Sequence, residues 1–138
     1  MKKMLSVFTT VLVLSSVLFG GWEFDEVVVS YPDLEVSDGY GIHSVVVDNA
    51  GNIWYTMYGI TTGTYYPTAT DTVEAIGIHA MTAAGVPLSF SPIDFVTVGG
   101  VTDTLQSSCR GMMKAGDGNI LVALGNGSLY KINATDGT

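Results

Sequence analysis

Four side chains have the type and placement for recognition chemistry: His43, Tyr65, Tyr66 and Arg110. The imidazole and guanidinium supply donors and charge, and a tyrosine pair on a loop supplies flat amphipathic surface. That mixture contacts sugars, peptides or other proteins. A structural role competes at each position. His43 and Arg110 stand at strand starts, where the first can pack or hydrogen-bond and the second can pair with one of 13 acidic side chains. Tyr65-Tyr66 can serve loop packing alone. His79 lies in an apolar run and reads as a solvent-facing strand residue rather than a base.

Catalytic patterns are scarce, and the catalytic residues stay unknown. The chain has no nucleophile elbow of a Ser-His-Asp enzyme, no phosphate loop, no CxxC and no HExxH. The segments Asn49-Ala50-Gly51-Asn52 and Gly116-Asp117-Gly118-Asn119 carry acids and amides, but not the ligand spacing of an EF-hand or a calcium nonapeptide. No metal ligands and no cofactor are evident, and calcium or magnesium is left open for a complete protein. Cys109 is the sole cysteine, so an internal disulfide is excluded and it reads as a small buried apolar residue. Asn126-Gly127-Ser128 and Asn133-Ala134-Thr135 match the glycosylation triplet and are assigned no function.

The elements that must position these residues are strands. Apolar runs are short, β-branched or aromatic, and separated by Gly, Asp, Asn and Pro, while no segment of helical length keeps a 3.6 period. The predicted strands are Glu26–Ser30, His43–Asp48, Ile53–Tyr58, Ala75–Met81, Ile93–Val98, Gly111–Ala115, Ile120–Leu124 and Ser128–Ile132. Residues 41–56 repeat at 108–123 with a constant shift of 67, as strand, tight turn, strand. Asn, Asp and Gly tolerate the left-handed backbone that such turns need. Aligning Gly85 with Gly137 adds Ile78–Gly85 to the repeat at a shift of 52, which pairs His79 with Lys131 and leaves an insertion over roughly Thr61–Glu74. Val45-Val46-Val47 is apolar at successive positions, so both faces of that strand should be covered.

The stretch Gly41-Ile42-His43-Ser44-Val45-Val46-Val47-Asp48-Asn49-Ala50-Gly51-Asn52-Ile53-Trp54-Tyr55-Thr56 resembles the repeat of NHL-type and streptogramin-lyase-like β-propellers: an apolar strand, Asp, a Gly-Asn turn and an Ile-Trp strand. The second copy departs from it, with Lys114-Ala115 in place of Asp and Leu121 in place of Trp. The resemblance implies an all-β fold of antiparallel four-stranded blades, of which about two are present, roughly 22–85 and 86–138. Ile93–Val98 would be the innermost strand of the second. In such blades the loop before the second strand and the loop after the third share one face, which would gather His43, Arg110, Tyr65 and Tyr66. A ring takes about four to eight blades, so the chain reads as an N-terminal fragment, or else as a unit that assembles in several copies. In the lyase-like enzymes the resemblance implies a histidine and a bound metal, for which no residue of this chain is matched.

Lys2 and Lys3 precede an apolar run from Met4 to Phe19, the form of a secretory leader over residues 1–21, with a signal helix that is cleaved or kept as an anchor. The net charge is −8, and loss of both lysines would deepen it by two. Such a surface repels phosphate backbones and anionic lipids, which argues against nucleic acid and against any membrane contact beyond an N-terminal anchor. The expectation is a secreted, periplasmic or cell-surface propeller module that binds protein or glycan. A metal-dependent lyase or lactonase-type enzyme, with its site mostly outside this chain, and an extracellular sensor domain are the alternatives.

Overall fold

A computed structural model describes residues 41–59, 61–65, 70–106 and 109–138. The expected leader with its signal helix, the predicted strand Glu26–Ser30 and Tyr66 lie outside the described residues. Those residues form an all-β structure in which each strand pair is antiparallel and no helix occurs. In chain order the strands are β1 (Gly41–Val47), β2 (Ile53–Tyr58), β3 (Gly63–Tyr65), β4 (Val73–Ala75), β5 (Ile78–Met81), β6 (Phe95–Val98), β7 (Val101–Thr104), β8 (Cys109–Lys114), β9 (Ile120–Leu124) and β10 (Leu129–Ile132). They make one sheet of order β1-β2-β5, a second of order β8-β9-β10, and the ribbons β3-β4 and β6-β7.

The internal repeat holds at the level of hydrogen bonds. In the β1–β2 hairpin the amide of Asp48 donates to the carbonyl of Asn52 and that of Gly51 to Asp48; in β8–β9 the amide of Ala115 donates to Asn119 and that of Gly118 to Ala115. Gly51 and Gly118 take positive φ of 85° and 88°, a conformation that costs a residue with Cβ far more. Each first strand also carries a bulge, between Ile42 and Ser44 in β1 and between Cys109 and Gly111 in β8. The extra residues are His43 and Arg110, which stand at the same shift of 67.

The third strand follows a different shift from the one the glycines suggest. Ile53 pairs with Met81, and its equivalent Ile120 pairs with Ile132, so the strands correspond at 51 residues. The turn after β10 is one residue longer: the amide of Gly85 reaches back to Thr82, whereas that of Gly137 reaches to Asn133. Because side chains alternate across a sheet, this one residue moves His79 into register with Tyr130 rather than with exposed Lys131. The insertion does fall between the second and third strands, and it contains the ribbon β3-β4.

Ile93–Val98 is not an inner strand of the second sheet. Pro87 and Ile93 bridge to Met81 and Ile78 on the outer side of β5, and Phe95–Val98 pairs only with β7. Strand β8 stands at the free edge of its own sheet and packs on β1. Periodicity marks a strand but not the neighbour it joins.

The two sheets stack face to face over one core: Trp54, Ile78 and Ala80 from the first, Cys109, Ile120, Val122, Leu124 and Ile132 from the second. Val46 packs against this core, while Tyr55, Met57 and Met81 form a smaller cluster on the opposite face of the first sheet. On that face Val45 and Val47 are exposed, contrary to the expectation that β1 is covered on both sides. Cys109 is a free, buried thiol, as its solitary occurrence led one to expect.

Asp48 explains the letters of the first repeat. Its carboxylate, 5% exposed, accepts hydrogen bonds from the amides of Ala50 (2.8 Å) and Asn52 (2.9 Å), from Asn52 Nδ2 (2.9 Å) and from Trp54 Nε1 (3.0 Å). The turn and the buried indole thus share one acceptor. In the second repeat Ala115 and Leu121 replace Asp48 and Trp54 together: no indole donor remains, and no acceptor for it is needed. Asp117, inside the turn, accepts instead from Asn119.

Asp48→Ala should cost about 3 kcal/mol, because it leaves the indole N–H buried without an acceptor. Combined with Trp54→Phe, the loss should fall short of the sum of the single losses by about 1 kcal/mol in urea unfolding. Strict additivity would show that the two groups do not interact. The hydroxyl of Thr56, fully buried, has no hydrogen-bond partner among the described residues. Thr56→Val should therefore stabilise by about 1 kcal/mol and raise Tm by about 4 °C in calorimetry.

Candidate functional site

Strand direction sorts the candidate residues to two ends of the stacked sheets. His43 and Arg110 lie where β1 and β8 begin, as does the end of β2, since Gly41 pairs with Tyr58. The β1–β2 and β8–β9 turns, and the segments after β5 and β10, lie at the other end.

At the first end, His43 is exposed and its ring meets Tyr58 edge-on at 5.3 Å between centroids. Arg110 is exposed on the adjacent strand at the matching bulge. Bulges re-aim side chains, and their recurrence in both repeats presents an imidazole and a guanidinium from equivalent backbone positions. Tyr65 is held differently. Its hydroxyl donates to the carboxylate of Asp94, and its ring packs edge-on against Phe95 at 4.3 Å. The structure brings His43 beside Tyr58 and Tyr65 beside Asp94, and it records no contact joining His43, Arg110 and Tyr65.

Asp94 is the anchor of the insertion. Buried itself, it also accepts from Thr62 Oγ1 at 2.5 Å, so the residue just before β3 and the last residue of β3 are tied to a carboxylate about thirty positions along the chain. Gly77 lies against this cluster, where a Cβ would collide with Asp94 Oδ1 and stand 2.9 Å from Thr62 Oγ1. The hydrogen bond to Asp94 raises the Tyr65 hydroxyl above its ordinary pKa. Nearby His79 stacks on Tyr55 at 4.9 Å with rings 10° from parallel. Burial holds its pKa below the usual histidine value, against an opposing pull from Asp94.

At the second end lies a groove of about 440 Å³, which neither the motifs nor the exposed aromatics had marked. Its walls are the two equivalent turns, with Asn49 and Asn52 from one and Asp117 and Asn119 from the other. Ser89 and Phe90 come from the segment after β5, and Thr135 from the segment after β10. Phe90 is backed by Trp54 at 5.6 Å. Gly118 allows the two turns to meet: a Cβ there would stand 2.5 Å from Asn49 Nδ2. The constant shift of 67 was the available signal, since it places two amide-rich turns at the same end of neighbouring sheets.

Both aspartates of the groove are held ionised. For Asp48 burial acts upward, but the hydrogen bonds from Trp54, Asn52 and Ala50 prevail and lower its pKa. For Asp117 the hydrogen bond from Lys131, at 3.0 Å, is the chief lowering influence. A negative rim with amide and hydroxyl groups around a phenyl ring suits a neutral polyhydroxylated ligand and disfavours an anion. Among the described residues no group of three or more His, Cys, Asp or Glu side chains converges as metal ligands. No helix among the described residues is long and apolar enough to cross a membrane.

Comparison with protein-family models, with curated proteins and with solved structures returned no match.

Acid should act on this structure in two windows. The pKa of His79 lies below 6.5 in the folded chain, so the unfolded chain takes its proton first and stability falls as pH drops below 6.5. The pKa of Asp48 lies below 3.8, so its contribution is complete above 3.8 and is lost as pH falls further. Urea midpoints measured against pH should show both steps. His79→Phe should remove the first and leave the second, and a first step that survives the substitution would assign it to another group.

Proposed function

We propose that this chain is part of an exported propeller-type binding module and that the groove between its equivalent turns takes a neutral saccharide unit. The carrying observation is the groove itself: an open cleft of about 440 Å³ walled by Asn49, Asp117, Asn119, Ser89 and Thr135 around the ring of Phe90. Its size lies within the range of small-molecule clefts, about 300–1,000 Å³. Amide and carboxylate groups match vicinal hydroxyls in both donor and acceptor sense, and a phenyl face accepts the apolar side of a sugar ring. The leader-like start of the sequence and the acidic surface support an exported location and a partner that is neither nucleic acid nor anionic lipid.

A protein partner is the second reading, and the paired bulges favour it. His43 and Arg110 project from adjacent strands at the opposite end, with Tyr58 beside the first. Aromatic and arginine side chains are the groups that most often carry protein interfaces.

Heteronuclear NMR titration with neutral oligosaccharides of glucose, mannose and N-acetylglucosamine separates the two. Shift changes confined to residues 49–52, 88–90, 117–119 and 134–135 are the expected result. Asn49→Ala should weaken binding about tenfold, the worth of one hydrogen bond. Absence of any change at millimolar sugar would overturn the saccharide reading, and changes centred on His43 and Arg110 would move the site to the other end.

A further inference from the structure

Among the described residues three turns place an aspartate or asparagine before a glycine of positive φ: Asp117-Gly118, Asn126-Gly127 and Asp136-Gly137, with φ of 88°, 91° and 78° at the glycines. In each, the side chain accepts the backbone amide two residues on. Asn119 donates to Asp117 Oδ1 at 3.1 Å, Ser128 to Asn126 Oδ1 at 3.0 Å and Thr138 to Asp136 Oδ1 at 3.1 Å. Asn126 alone of the three bears a carboxamide, and it is the only asparagine of the chain followed by glycine. The surroundings differ as well. Gly118 and Gly137 are buried, and a Cβ on them would meet Asn49 Nδ2 at 2.5 Å and Phe90 Cδ2 at 2.7 Å. Asn126 and Gly127 are exposed, and a Cβ on Gly127 would meet nothing within 4 Å.

An asparagine whose successor lacks a Cβ is open to attack by its own backbone. The Gly127 nitrogen bonds to Asn126 Cγ and gives up its proton, the Cγ–Nδ2 bond breaks, and the carboxamide nitrogen leaves with that proton as ammonia. Water then opens the succinimide at either carbonyl, to aspartate or to isoaspartate. The closed hairpin opposes the first step, because the Gly127 amide donates to the Leu124 carbonyl at 3.1 Å and Asn126 Oδ1 is engaged by Ser128. We propose that Asn126 is a self-modification site, which deamidates in the folded protein at a rate set by local opening of the β9–β10 turn. The aspartate product keeps the fold, since Asp117 and Asp136 already stand in equivalent turns with the same hydrogen bond. Isoaspartate adds a backbone atom and disturbs the pairing of β9 with β10. The new charge arises at the end of the sheet that carries Arg110, because Cys109 pairs with Leu124. That end lies opposite the groove, so the proposal does not depend on the saccharide reading.

Timed incubation of the full chain at mildly alkaline pH, folded and in guanidinium chloride, followed by peptide mass spectrometry, tests it. In the folded chain the mass gain of amide-to-acid conversion should be confined to the peptide holding Asn126 and divided between two separable products, with Asn49, Asn52, Asn119 and Asn133 intact. Its rate should lie about ten- to a hundredfold below that of the unfolded chain, the margin of a local opening. Asn126→Gln should abolish the gain, because its longer side chain has to close a larger ring. Asn126→Asp should keep the circular dichroism spectrum and Tm of the parent chain. Equal rates in the two states would overturn the proposal, as would conversion of another asparagine first or an Asn126→Asp chain that does not fold. So would a folded chain still unmodified at Asn126 after about a hundred half-lives of the unfolded one.

Discussion

A three-stranded sheet has two faces and can dry one only by laying it against another surface, and the arrangement of this molecule follows from that constraint. Each three-stranded sheet buries an apolar face against the other. Together they enclose Trp54, Ile78, Ile120, Val122 and Ile132 in one continuous core. The stacking brings β1 beside β8, sets the two equivalent turns at the same end, and presents the bulged His43 and Arg110 at the other. Positions that read as separate features along the chain become neighbours because the sheets must share one interior.

Two buried carboxylates then fix what the core leaves free. Asp48 works locally: it closes its own hairpin and satisfies an indole that would otherwise bring an orphaned donor into the interior. Asp94 works over distance, tying Thr62 and Tyr65 of the inserted ribbon to the segment that runs along the outer side of β5. Polar groups inside a dry core are costly unless they are fully paired, and once paired they hold one geometry in preference to its near neighbours. Buried acid side chains thus serve here as joints, even though the chain as a whole is strongly acidic.

The turn glycines and the alternation of β-branched residues made most of the strands readable: β2 and β9 have the bounds that the pattern predicts. What escaped depends on relations that periodicity does not carry. Gly99-Gly100, both at positive φ, join Phe95–Val98 to Val101–Thr104 as a two-residue hairpin, a signal present in the letters. The register of β10 slipped by one because glycines were matched across turns of different length. Tyr65 could be seen as a loop aromatic, but its partner Asp94 lies 29 residues away and no local pattern names it. The groove needed the sheets stacked before its walls existed.

The exchange of Asp48 and Trp54 for Ala115 and Leu121 has a consequence for how such repeats can diverge. The two letters form a unit, so the route from one pair to the other has a preferred order. If the tryptophan changes first, the carboxylate keeps three of its four donors and the turn survives. If the aspartate changes first, an indole N–H is stranded in the core and the hairpin loses its clasp at the same time. A lineage of repeats that starts from the Asp-Trp form therefore passes most readily through Asp-Leu intermediates, and the Ala-Trp combination is the one that drift should rarely leave behind.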